Sequence, residues 1–107
     1  MVLKLIEREI EEFQHERNVF LENIKTVAKK YGLECYLTGS RAKGEHLPSS
    51  DMDVLVVIPQ SLWKLRWKIY DEMKRACKDN AFVEIHIMNE KTFDEMKKLY
   101  GKLIPLG

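Results

Sequence analysis

Long apolar runs are missing from this chain: no stretch of its 107 residues approaches the roughly 18 consecutive apolar positions that a membrane-spanning helix needs. The opening Met1-Val2-Leu3-Lys4-Leu5-Ile6-Glu7-Arg8-Glu9 carries acids too early for a secretory signal, so the expected location is the cytoplasm. Cysteine is scarce. The 2 that occur, Cys35 and Cys77, have no framework spacing, which excludes a disulfide-built scaffold and favours two reduced, buried thiols over a single bridge. A dominant charge sign is also lacking. With 18 Lys and Arg against 17 Asp and Glu, net charge is +1 and no basic block stands out, which argues against a dedicated nucleic-acid-binding surface. Repeats, low-complexity tracts and an interdomain linker are absent as well. The expectation is one domain, 1–107, with one modest core and little room for a second unit that would grip a base or a large acceptor.

What is present is clear hydrophobic patterning. Leu3, Ile6, Ile10, Phe13, Phe20, Ile24, Val27 and Tyr31 recur mostly at steps of three and four, which predicts a long amphipathic N-terminal helix stopped by Gly32. Leu33 to Thr38 reads as a strand, Gly39 to Gly44 as a turn entering a short helix, and Glu45 to Ser50 as a loop. In Asp51 to Ile58 both parities are apolar beyond Asp53, as expected of a central strand covered on both faces. Ser61 is the expected cap of a helix to Lys78, Ala81 to Met88 a third strand, and Asn89 (with Thr92 as the alternative) the cap of a last helix. The tail, Leu103 to Leu106, is apolar but not helical past Pro105. Helices interleaved with strands predict an α/β (α+β) fold.

Two short features carry chemistry. Asp51 and Asp53 stand at i and i+2 of a strand, so their carboxylates project to one face. Adjacent carboxylates repel unless a cation or proton lies between them, and oxygen ligands suit Mg²⁺, with Mn²⁺ as the alternative. Two such ions can clamp the attacking and leaving oxygens of an in-line displacement. Gly39 permits close approach of backbone to phosphate, Ser40 offers a hydroxyl donor, and Arg41 and Lys43 offer charge against a triphosphate. Glu84, a charge inside the apolar strand Phe82 to Met88, is the candidate third acid, although an edge strand could equally turn it to water.

On these residues the chain resembles the minimal nucleotidyltransferase family, within the polymerase-beta-like superfamily. Gly39-Ser40 and Asp51-Met52-Asp53 match its Gly-Ser, ten residues, Asp-x-Asp pattern, and the similarity extends through Gly39 to Gly44 and Ser50 to Ile58. Lys43 stands where the family often has Arg, and Glu84 where many relatives have Asp. The resemblance implies a small mixed sheet backed by helices. It implies Mg²⁺-dependent transfer of a nucleotidyl group from an NTP, usually AMP from ATP, with Asp51, Asp53 and Glu84 as metal-binding catalytic acids. It implies a helical HEPN-type protein as partner, in some pairs a toxin whose tyrosine the enzyme adenylylates as antitoxin. The alternative is a non-catalytic module that neutralises such a partner by contact.

Trp63, Trp67 and Tyr70 form a second stripe on the helix after Ser61 and read as a wide core face or, alternatively, as a contact with a partner or a second copy. His15 falls on a polar helix face and His46 in the loop between motifs. His86 shares a strand face with Glu84 and reads first as structural.

Overall fold

The computed structural model describes residues 2–38, 52–99 and 103–106, without the side chains of 2–10 and 12–14. Its elements are α1 (Val2–Tyr31), β1 (Glu34–Thr38), β2 (Met52–Ile58), α2 (Arg66–Ala76), β3 (Val83–Asn89), α3 (Glu90–Met96) and β4 (Ile104–Pro105). The four strands make one mixed sheet in the order β3-β2-β1-β4. β2 runs antiparallel to β1 and parallel to β3, and β1 also pairs antiparallel with β4. The fold class is therefore the α/β arrangement that the sequence predicts.

Gly32 ends α1 as expected, in the left-handed conformation with φ +69. The Leu33 amide donates to the Ala28 carbonyl (2.8 Å) and the Gly32 amide to Lys29 (3.3 Å), which satisfies two carbonyls of the last turn. The chain then reverses directly into β1.

Alternate residues of the strands define two different faces. Met52, Val54, Val56 and Ile58 of β2, with Val83 and Ile85 of β3, pack against Phe20, Ile24 and Ala28 of α1 and Ile69 and Met73 of α2. Each large side chain fully removed from water here stabilises the fold by about 1.5–3 kcal/mol. The opposite face carries a smaller cluster, Leu55, Val57 and Phe93, with Tyr36, Met88 and Leu103 against it. The Tyr36 and Phe93 rings stack at 5.1 Å. β2 is buried on both sides because it is central, as its sequence predicts.

Several boundaries differ from the sequence expectation, and α2 ends at Ala76 rather than Lys78. Ser61 does not cap a helix: Gln60–Leu65 forms a 3-10 segment after Pro59, and α2 begins at Arg66, neither start having a side-chain cap. β3 starts at Val83 rather than Ala81, because the Asn80 side-chain oxygen accepts from the Phe82 amide (2.9 Å) and holds the preceding residues in a turn. The tail forms a strand: Ile104 and Pro105 pair with Leu37 and Tyr36, and the Leu106 amide donates to the Cys35 carbonyl (2.9 Å). Asn89 does cap α3, accepting from the Thr92 amide at 2.8 Å. Cys35 and Cys77 are buried free thiols. No described helix is long and apolar enough to cross a membrane.

Candidate active site

The parallel pairing of β2 with β3 decides which acids meet. Its register sets Asp53 opposite Glu84 and Leu55 opposite His86, while the β1–β2 register sets Thr38 opposite Asp53. Thr38, Asp53 and Glu84 thus cross the sheet in one row, on the face away from α1 and α2. At one end of that face α3 covers Leu55 and Val57 through Phe93. The acidic row lies at the other end, at the amino ends of β2 and β3. Open parallel sheets commonly bind ligands beyond the carboxyl ends of their strands. Here the antiparallel partner β1 brings the chain to the amino end instead, and Gly39 follows Thr38 directly in sequence.

Asp53, Glu84 and His86 offer ligand atoms that all lie within 4.8 Å of one another. His86 Nε2 is 3.7 Å from Asp53 Oδ1 and 3.4 Å from Glu84 Oε2. The three differ in their access to water: the Asp53 side chain is 22% exposed, Glu84 61% and His86 52%. Burial, and after it the negative charge of Glu84, push the Asp53 carboxyl above its ordinary value, and the nearby His86 opposes that shift. Ionised Asp53 therefore lacks sufficient neutralisation from the described residues alone. A divalent cation between the two acids would supply it, so the donor set fits such an ion.

Of the residues singled out from the sequence, the structure brings Asp53 and Glu84 together. Gly39, Ser40, Arg41, Lys43, Asp51 and His46 lie outside the described residues. Glu84 sits exposed on the edge strand, which the sequence left open, yet its cross-strand position puts it beside Asp53. His86, which the sequence reads first as structural, lies beside this pair. It is half-exposed and faces the two acids rather than the core, and its i, i+2 relation to Glu84 was the signal that could have found it. His15 is exposed on α1.

Within the aromatic stripe, Trp63 and Tyr70 pack against the main core, whereas Trp67 is 63% exposed. The Arg66 guanidinium lies 5.0 Å from the Trp63 ring centre and 5.8 Å from that of Trp67. The stripe therefore serves both the core and the surface.

The family described as nucleotidyltransferase domain matches residues 20–102, most of the chain. Among solved structures, a protein from Sulfolobus solfataricus provisionally named a nucleotidyltransferase is similar at 23% identity, over 91% of this chain and 84% of that one, with a TM-score of 0.55. That likeness bears on the fold. No curated protein gives a significant match.

Proposed function

Because the chain belongs to the nucleotidyltransferase domain family, with an NTP as substrate and a divalent metal ion implied, we propose that it transfers AMP from ATP to a hydroxyl acceptor. The observation that supports this most is the pairing of Asp53 with Glu84 on the open sheet face, one strand away from the residue that leads into Gly39-Ser40.

In this reading Asp51, Asp53 and Glu84 hold Mg²⁺, which would neutralise charge gathering on the reacting phosphate. Asp53 is the central acid: its side chain is less exposed than that of Glu84, and β1 and β3 flank it on both sides. Glu84, more exposed, orients the acceptor hydroxyl and takes up its proton. Ser40 and the backbone around Gly39 hold the triphosphate, with Arg41 and Lys43 offsetting its charge. The acceptor oxygen attacks the α-phosphorus and pyrophosphate leaves, so positioning and charge neutralisation supply most of the acceleration.

The acceptor in this proposal is a tyrosine hydroxyl of a HEPN-type helical protein, the chain acting as its antitoxin in the cytoplasm. Trp67, exposed beside Arg66, supports a protein acceptor, since aromatic and arginine side chains are enriched at interfaces. The test incubates the chain, ATP labelled on the α-phosphate, Mg²⁺ and the protein encoded beside it. Label on a partner tyrosine is the expected result. Tight association without label would instead support a module that acts by contact.

A further inference from the structure

We propose that His86 is a nitrogen ligand to the divalent ion held by Asp53 and Glu84, and that it shifts the preference of the site from Mg²⁺ towards Mn²⁺. The inference rests on the nucleotidyl-transfer reading above, because that reading supplies the ion.

Geometry is the first argument. Donor atoms bound about 2.1 Å from one ion stand about 3.0 Å apart when adjacent in an octahedron and about 4.2 Å when opposite. The Nε2 distances of 3.7 and 3.4 Å to the two carboxylates fall inside that span, while the full set, within 4.8 Å, is slightly wider than it. Small side-chain rotations close such a set around a cation.

Placement is the second. His86 follows Glu84 by two residues on β3, so both side chains leave the strand on the same face, and its backbone partner is Leu55 rather than a polar residue. With half its surface in water it fills no core gap, and among the described residues it makes polar contacts with the two acids.

Chemistry is the third. Mg²⁺ prefers oxygen and retains several waters, whereas imidazole nitrogen suits first-row transition ions. An Asp, Glu, His set therefore differs in kind from an all-carboxylate one. Glu84 and His86 also act from one rigid strand, which fixes the nitrogen and oxygen donors relative to each other.

The test uses the whole chain and two ions, Mn²⁺ and Mg²⁺, at one pH, with binding followed by calorimetry and by electron spin resonance. With Mn²⁺ bound, pulsed measurements should show ¹⁴N coupling from a directly ligated imidazole. His86→Gln keeps a polar side chain in the exposed position. It should lose the ¹⁴N signal and weaken Mn²⁺ binding by about tenfold or more. Its Mg²⁺ affinity should stay within about twofold, since an amide oxygen suits that ion. Bound Mn²⁺ with no ¹⁴N coupling in the unsubstituted chain, or equal weakening of both ions in His86→Gln, overturns the ligand while leaving the transfer reading intact. Asp53→Asn separates the two: it should lose both ions, and if it binds them as the unsubstituted chain does, the shared metal site falls and the proposed chemistry with it.

Discussion

At the scale of single residues, Asp53 combines the central place in the proposed chemistry with an unfavourable charge. Its carboxyl is held above the ordinary value by burial and by Glu84, so the protein tolerates rather than requires its ionisation. Asp53→Asn should therefore reduce nucleotidyl transfer by about a hundredfold or more while leaving the melting temperature unchanged or raised. Transfer assays and thermal melts on the same preparation check both halves. The thiols give a second residue-level test. Burial pushes Cys35 up to about 12 and Cys77 up to about 11. In the native protein at pH 8 both should resist iodoacetamide and react fully once urea unfolds the chain, as mass spectrometry would show. Because their folded values lie above those of the unfolded chain, their contribution to stability is intact below about pH 8.5. It should decline as pH rises through 11 and 12, which denaturant titrations at increasing pH would reveal.

At the scale of elements, two helix ends, Gly32 after α1 and Asn89 before α3, follow local sequence closely. Gly32 adopts φ +69 with nothing within 4 Å of where a Cβ would stand, so Gly32→Ala meets a backbone penalty rather than a clash. It should cost about 1–2 kcal/mol in urea unfolding, with Asn at the same position costing less. Asn89→Ala, losing the bond from the Thr92 amide, should cost about 1 kcal/mol. Both features were legible in the sequence because each depends on a few neighbouring residues. The same holds for β2, whose apolar run announces a central strand. Ser61 misled because capping needs the chain to enter an α-helix at once, and Pro59 is followed by a 3-10 segment instead. β4 was illegible for a different reason. Two residues have no periodicity, and Ile104 and Pro105 are a strand only because β1 offers them an unpaired edge. In the site, the types and spacing of Asp53 and Glu84 were readable. Their meeting was expected from the resemblance, but the register behind it was not readable, since it is set by how α2 carries the chain over to lay β3 beside β2.

At the scale of the whole molecule, which measures 44 × 28 × 21 Å, α1 spans 30 residues, about 45 Å of helix. Among the described side chains, those it buries are Phe20, Ile24 and Ala28, all in its carboxyl half, where it meets the sheet and α2. Ile24→Ala should accordingly destabilise the fold by about 2–5 kcal/mol, a large part of what a domain of this size has, and calorimetric melting would measure it. If α1 anchors the face opposite the acids, the loss should appear as unfolding at assay temperature rather than as altered affinity for metal below it. The two borders of the sheet carry a further consequence. On one side β4 covers β1 and places Pro105, which has no amide hydrogen, at the rim. On the other, β3 is the last strand and displays Glu84 and His86 to solvent. A ring without an N–H and a row of polar groups are both poor templates for a neighbouring molecule to zip onto. Removing residues 103–107 would strip one of these guards, and self-association into insoluble filaments or clumps is the failure to expect from such a shortened chain.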